Sequence, residues 1–192
     1  MQIEFLKEGH TYLVDGIPAM SVTKIVGKIF PRKYEGVPVE VLQKAANYGT
    51  TIHELLEEYI TKRNQESQLE LLLNGINYDV LETQHKIEPE KLEQAVAYID
   101  DDIPLFVGRF DMLAEVQGER TLLDFKTTYK CDKDMLAWQL SMYAMALEQM
   151  QNVEIKKLAC LWFPKNQVGQ YVSVKRLNDD DVLREVKKVL GV

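Results

Sequence analysis

The spacing of hydrophobic and polar residues divides the amino-terminal part of the chain into short elements. Tyr12–Val14 and Ile17–Ala19 are apolar-rich and flank Asp15-Gly16, a dipeptide typical of the turn of a β-hairpin. Ser21 or Thr23 follows at the position of a helix N-cap. The pattern therefore predicts a β-hairpin that leads into a short helix.

The middle of the chain has apolar residues at helical spacing. Pro38 suits the first turn of a helix, Gly49 is expected to interrupt that helix, and Thr51–Glu54 matches a capping box that restarts it. Pro89 is expected to begin a further helix, with Leu92, Val96 and Ile99 on one face. We therefore expect a helical insertion over residues 64–102.

The period of the apolar pattern changes to two after residue 103. Leu105–Val116 and Thr121–Thr127 are predicted to form antiparallel strands joined near Gln117-Gly118. The remaining pattern predicts a helix over Asp134–Met150, strands over Leu158–Phe163 and Gln170–Arg176, and a last helix capped by Asn178. The length of the chain predicts one domain over residues 1–192.

Charge complicates the assignment of a partner. The chain has a net charge of -7, which argues against a nucleic-acid partner because phosphate binding favours Lys and Arg. The excess is local, since residues 51–102 contain thirteen acidic and four basic residues, a net charge of -9. Basic residues such as Lys28, Arg32 and Lys130 lie outside that segment, which we expect to point away from nucleic acid apart from its helical site residues.

Composition also restricts the compartment and the kind of metal site. Cys131 and Cys160 are too few for a disulfide framework or a four-cysteine metal site. The sequence has no apolar run of membrane-spanning length and begins without a basic, apolar leader. We therefore expect a reduced, cytoplasmic protein with no membrane partner.

The predicted central hairpin has the strongest candidate chemistry. Asp124 and Lys126 share a face of their strand, because side chains alternate along a strand. A two-residue turn would place Asp111 opposite Asp124, and a four-residue turn would place it opposite Lys126. Facing carboxylates repel each other, so a divalent cation between them would stabilise the sheet. The alternative is a salt bridge of Lys126 with the aspartates at a sheet surface.

Two helices add candidate residues at a spacing of four. Gly49, His53 and Glu57 share one helical face, where an imidazole and a carboxylate can add to a metal site; the alternative is a surface ion pair. Gln139 and Tyr143 share a face of the helix that follows the Asp–Lys strand. The alternative there is an amphipathic helix with Tyr143 in the core.

These residues occur in an order that resembles the RecB-like branch of the PD-(D/E)XK nuclease superfamily. The resemblance covers about residues 45 to 145 and rests on four motifs, namely Gly49-Thr50-Thr51-Ile52-His53, Gly108-Arg109-Phe110-Asp111, Asp124-Phe125-Lys126-Thr127 and Gln139-Leu140-Ser141-Met142-Tyr143. Residue 110 is Phe where many relatives have proline, a difference that is common in this branch. The opening hairpin resembles short phage-encoded nucleases of this group.

The resemblance implies a fold and a set of roles. The fold would be α/β, a restriction-endonuclease-like core with a mixed central β-sheet flanked by helices. It would also have an N-terminal hairpin and helix over residues 1–35 and the helical insertion. His53, Asp111, Asp124 and the main-chain carbonyl of Phe125 would bind one or two Mg²⁺ or Mn²⁺ ions, with Glu57 as an additional ligand. Lys126 would activate water beside the catalytic aspartates. Gly49, Arg109, Thr127, Gln139 and Tyr143 would contact DNA or orient the lysine.

The resemblance further implies a function. The expected protein is a metal-dependent DNA nuclease without an iron–sulfur cluster, acting as an exonuclease in recombination, repair or phage replication in a bacterial or phage-infected cell. A strand-annealing protein or a helicase is the expected partner. A non-cleaving module that binds DNA ends and an RNA-directed nuclease on the same fold stay open as alternatives. The sequence leaves open end polarity, endonuclease action, strand preference and oligomeric state.

Overall fold

The computed structural model of the chain describes residues 1–6 and 11–192, and its strands form two sheets. A three-stranded antiparallel sheet has the order β1-β2-β3 and contains β1 (Ile3–Leu6), β2 (Thr11–Val14) and β3 (Ile17–Ala19). A five-stranded mixed sheet has the order β4-β5-β6-β7-β8 and contains β4 (Ile87–Asp100), β5 (Ile103–Val116), β6 (Glu119–Lys126), β7 (Lys157–Trp162) and β8 (Gln170–Val174).

Helices cover both faces of the five-stranded sheet, which confirms the predicted α/β architecture. They are α1 (Val22–Ile29), α2 (Val39–Lys62), α3 (Gln65–Leu73), α4 (Tyr78–His85), α5 (Lys133–Gln151) and α6 (Asp179–Leu190). One buried cluster joins the sheet to α1, α5 and α6, and a second joins it to α2, α3 and α4. Within residues 1–6 and 11–192, no helix combines the length and apolarity needed to cross a membrane.

The amino-terminal elements follow their turn and cap residues. Asp15 and Gly16 both have positive φ angles, 48° and 81°, as a tight hairpin turn between β2 and β3 requires. Ser21 is the N-cap of α1, and its hydroxyl accepts a hydrogen bond from the backbone N–H of Lys24. The hairpin and the helix predicted here are confirmed.

The β5–β6 hairpin has the register of the two-residue turn. Val116 pairs with Glu119 around Gln117-Gly118, and the pairing continues to Met112 with Leu123. The next positions along the two strands are Asp111 and Asp124. Strand β6 is also hydrogen-bonded to β7, in parallel, so it lies in the middle of the sheet.

Helix α2 is continuous, and the interruption predicted at Gly49 is wrong. The Thr51 hydroxyl donates a hydrogen bond to the carbonyl of Asn47, four residues earlier in the same helix. This local bond satisfies the hydroxyl inside a helix, so the capping-box pattern at Thr51–Glu54 marks no helix start.

The helix predicted from Pro89 is also wrong, because residues 87–100 form strand β4. Helices α3 and α4 account for the expected helical character of residues 65–85, and the helical insertion ends there. The register of β4 against β5 shifts between Pro89 and Lys91. An irregularity of this kind accommodates proline, which has no N–H to donate to a sheet.

Candidate active site

The candidate active site lies where the strand pairing of the main sheet is interrupted. Leu92 pairs with Met112 and Gln94 with Phe110, while Glu93 between them has a φ of 49°. In place of a backbone partner, the N–H of Phe125 donates to Asp111 Oδ2 at 2.6 Å. The interruption places the carboxylates of Glu93 and Asp111 beside the end of β6.

A histidine from α2 meets these carboxylates. His53 Nδ1 lies 3.5 Å from Asp111 Oδ1 and 4.0 Å from Glu93 Oε1. His53 Nε2 donates to the carbonyl of Phe125 at 3.0 Å, and the two rings meet edge to face at 5.7 Å. Ligand atoms of His53, Glu93 and Asp111 all lie within 4.8 Å of one another.

The catalytic-strand motif forms a second group of contacts. Lys126 Nζ lies 2.6 Å from Asp124 Oδ2, and the Gln139 side-chain amide donates to Asp124 Oδ1 at 2.7 Å. Asp124 is 2% exposed, so the ammonium and the amide replace the water that its carboxylate would otherwise bind. Asp124 is not one of the three grouped ligands, His53, Glu93 and Asp111. Gln139 was expected to contact DNA or to orient the lysine, and its hydrogen bond is to Asp124.

The site combines several opposed electrostatic shifts. Burial opposes the charge on His53, but the Asp111 carboxylate beside it raises the pKa of the imidazole to about 9. Burial also raises the pKa of Asp124, to about 6, although the adjacent Lys126 counteracts it. For Lys126, the charges of Asp124 and Asp111 outweigh burial and hold its pKa above the usual range.

Glu93 is a second carboxyl group whose pKa is raised. Burial and the nearby Asp111 raise its pKa to about 7, although His53 lowers it. Neighbouring carboxylates repel each other, and this repulsion is why one of them keeps a proton near neutral pH. A divalent cation relieves that excess, and imidazole with two carboxylates is a donor set suited to such an ion. The residues present therefore fit the expected metal.

An open cleft of about 720 Å³ is lined by His53 and Glu93 of the triad. Its lining includes most of the remaining predicted residues, namely Gly49, Glu57, Arg109 and Lys126, together with Thr23 and Glu54. Glu57 raises the pKa of Glu93 through its charge but is not one of the three grouped ligands. A Cβ at Gly49 would lie 3.6 Å from Thr127 Oγ1, an ordinary contact, so the helix passes Thr127 without requiring glycine.

Tyr143 has a different place from the one expected. It is 3% exposed, which leaves no surface for a DNA backbone. A Cβ at Gly108 would lie 2.6 Å from Tyr143 Cε1, so the glycine of the Gly108–Asp111 motif makes room for the ring. The alternative of a core tyrosine is correct here, and the ring packs beneath the aspartates.

Glu93 is the functional candidate that the sequence did not reveal. Its segment was predicted as a helix, in which Glu93 would be one of many surface acids. The strand places it next to Asp111 instead. The signal that could have revealed it is a carboxylate on the strand preceding the Gly108–Asp111 motif, which is visible only after that strand is recognised.

Comparison with known proteins identifies a family. A family model described as the PD-(D/E)XK nuclease superfamily matches residues 62–190. One solved structure, "Crystal structure of SSO0001", is 15% identical and has a TM-score of 0.44, with coverage of 90% of this chain and 75% of that one. No curated protein matches the chain. Because the family model matches most of the chain, the protein belongs to the PD-(D/E)XK nuclease superfamily.

Proposed function

We propose that this protein is a Mg²⁺- or Mn²⁺-dependent deoxyribonuclease that hydrolyses phosphodiester bonds, acting as an exonuclease in recombination, repair or phage replication. The observation that supports this proposal is the position of Lys126. It lines the same cleft as the His53–Glu93 pair and lies in contact with the buried Asp124. A lysine beside a carboxylate cluster provides positive charge next to a metal site.

The residues have separate tasks in this proposal. His53, Glu93 and Asp111 would hold the cation, with Asp124 and the carbonyl of Phe125 as the further ligands that the resemblance implies. A bound divalent cation supplies Lewis-acid stabilisation of the phosphate and lowers the pKa of water.

The charge state of Lys126 assigns its task. In the metal-free protein, the carboxylates of Asp124 and Asp111 hold the pKa of Lys126 above its ordinary range, so its ammonium is placed to orient water and to stabilise developing phosphate charge. Gln139 fixes the Asp124 carboxylate through Oδ1, which leaves Oδ2 directed at the lysine.

The test is digestion of end-labelled linear DNA, circular DNA and RNA with Mg²⁺, Mn²⁺ or EDTA. We expect cleavage of linear DNA that needs the cation, and a loss of roughly 100-fold or more in Lys126→Ala and Asp124→Ala. Lys165→Ala, in the separate surface loop after β7, is the matched control and should keep full activity. Full activity in both site variants would refute the proposal.

Two other functions remain distinguishable in the same assay. A module that only binds DNA ends would bind labelled DNA without cleaving it under any metal condition. An RNA-directed nuclease would cleave RNA in preference to DNA, an alternative that stays open because the four motifs distinguish no sugar. Cleavage of circular DNA would identify an endonuclease. A strand-annealing or helicase partner stays a prediction.

A further inference from the structure

Glu93 faces two cationic side chains. Its Oε1 lies 4.0 Å from His53 Nδ1, within the ligand triad, and its Oε2 lies 3.9 Å from Arg109 Nη1, outside the triad. Arg109 and Asp111 are two positions apart on β5, so their side chains leave the strand on the same face. Arg109 therefore lies beside the candidate metal ligands without being one of them.

Arg109 is more exposed than the other two cationic side chains that contact the acids of the site. Its side chain is 52% exposed, whereas those of His53 and Lys126 are each 28% exposed. The separation of 3.9 Å between its nitrogen and the Glu93 oxygen is also longer than a hydrogen bond. Arg109 therefore does not fix the position of Glu93 by bonding to it, and its influence on the site comes from its charge.

Arg109 lines the same cleft as the triad. His53 and Glu93 also line that cleft, together with the acidic residues Glu54 and Glu57. A divalent cation held by Glu93 would meet the positive charge of the guanidinium, and like charges repel over several ångströms even through water. The cation must also compete with Arg109 for the negative charge of Glu93. Both effects lower the affinity of the site for the cation.

We propose that Arg109 is an internal counter-cation of Glu93 that lowers the affinity of the triad for a divalent cation. The inference rests on the proposed function, because it treats His53, Glu93 and Asp111 as ligands of the cation. It gives Arg109 a task other than the contact with DNA that the resemblance implies. By mass action, a site of lowered affinity is filled by an abundant divalent cation and not by one present in traces.

The test measures Mn²⁺ binding to the protein without DNA. Isothermal titration calorimetry is carried out at about pH 8.5, where the Glu93 carboxyl is ionised. We expect Arg109→Gln to bind Mn²⁺ about fivefold to tenfold more tightly than the wild type, since water screens a half-exposed charge and limits the effect. Arg109→Lys keeps the charge and should bind like the wild type. Asp111→Asn lacks a ligand, so the binding that it loses is the binding at the triad.

Arg120 provides the matched control for Arg109. Its Nε lies 3.3 Å from Glu90 Oε2, in another partly exposed arginine–glutamate pair between the same sheet's strands β6 and β4. Arg120 pairs with Glu115, which is four residues from Asp111 along β5, a distance of roughly 13 Å. Arg120→Gln should therefore leave Mn²⁺ binding unchanged. High ionic strength should reduce the difference between the wild type and Arg109→Gln, because salt screens exposed charges.

The possible results separate this inference from the proposed function. Tighter Mn²⁺ binding in Arg109→Gln alone supports the inference. Unchanged or weaker binding in Arg109→Gln, or an equal gain in Arg109→Lys or Arg120→Gln, overturns it even if the protein cleaves DNA. Tighter binding in Arg109→Gln by a protein that cleaves nothing would leave this inference standing and refute the proposed nuclease. If no Mn²⁺ binding depends on Asp111, the metal site and the inference both fail.

Discussion

At the scale of single residues, the three carboxyl groups of the site differ because their neighbours differ. Burial acts against the charge of all three, yet His53 holds the pKa of Asp111 below its ordinary value. Asp124, beside Lys126, has a pKa raised to about 6, and Glu93, which has less compensation, has a pKa raised to about 7. Glu93 and Asp124 are therefore the two carboxyl groups that gain most from a cation.

The metal-free protein is expected to become less stable as pH rises from 4.5 to about 7. The pKa values of Glu93, Asp124 and His53 are raised, so the folded state binds more protons than the unfolded chain. For Glu93 the loss falls between pH 4.5 and about pH 7, and Glu93→Gln should remove about 2 kcal/mol of it. Urea denaturation in EDTA across this window measures the effect.

The same titration has a result that would contradict this electrostatic account. A free energy of unfolding that rises between pH 4.5 and pH 7 in the wild type would mean that Glu93 is better compensated than its neighbours indicate. The Glu93→Gln protein serves as the control, since its amide keeps the shape of the side chain without a proton to bind in that range.

Gly108 should be intolerant of even one methyl group. A Cβ there would lie 2.6 Å from the ring of Tyr143, which is 3% exposed and packed in the core. We expect Gly108→Ala to lower the free energy of unfolding by about 1–3 kcal/mol, measured by urea denaturation.

Gly27→Ala is the matched control for that substitution. Gly27 lies within α1, and a Cβ there has no atom within 4 Å. Alanine should therefore stabilise the protein by about 0.5–1 kcal/mol through its better helix propensity. Equal effects of the two substitutions would show that the Tyr143 contact does not constrain Gly108.

At the scale of elements, the sequence was informative where one periodicity dominated. The β5–β6 hairpin was predictable because alternation ended at Gln117-Gly118, whose φ angles are positive. Strand β4 was not, because three apolar residues with helical spacing belong to three different clusters: Val96 packs toward α5, Leu92 toward α2, and Ile99 toward the small sheet. A strand covered on both faces lacks the alternation that identifies strands.

The consequence for the site follows from these elements. Asp111, Asp124 and Lys126 were predictable because they lie on the clearly patterned hairpin, and His53 because α2 is a long helix. Glu93 was not, since it lies on β4 at a position with positive φ, a backbone conformation that the side-chain pattern does not report.

One ion pair should determine how the last strand and helix dock on α5. Both guanidinium nitrogens of Arg176 contact Glu148, at 2.7 and 2.6 Å, and Glu148 also accepts from the N–H of Ile155. We expect Glu148→Ala to lower the free energy of unfolding by about 2–4 kcal/mol, because it leaves Arg176 and the Ile155 amide without this partner. Guanidinium denaturation measures it.

An exposed ion pair provides the control for Glu148→Ala. Glu185 contacts Lys188 within α6, where the lysine side chain is 74% exposed. Glu185→Ala should change stability by about 0.5 kcal/mol or less. A similarly small effect of Glu148→Ala would mean that α6 docks through its apolar face alone, with Val182 and Val186.

At the scale of the whole molecule, the excess acidic residues of segment 51–102 lie in two kinds of surroundings. Part of it is used locally, since Asp79 accepts hydrogen bonds from Tyr59 and Gln68, and Glu82 contacts Arg63. The other part faces the cleft, where Glu93 joins the metal triad. The expectation that this segment contributes only its helical residues to the site is therefore incomplete. Lys130 lines a cavity that Lys126 also lines, and Arg32 lines an adjoining hollow together with Lys130. Lys28 is exposed in the last turn of α1.

The central position of β6 has a consequence for motion. Thr121, Leu122 and Leu123 pair with neighbours on both sides, so their amides open only when the sheet itself comes apart. Beyond them, β6 continues to pair with β7, and the Phe125 N–H is held by the Asp111 carboxylate. In hydrogen exchange followed by mass spectrometry, we expect peptides from β6 to exchange slowest and those from the exposed start of α2 to exchange early. Rapid exchange in β6 would contradict this. A strand held in this way keeps its side chains in fixed positions, so under the proposed function it is the substrate, and not the strand, that changes shape for the reaction.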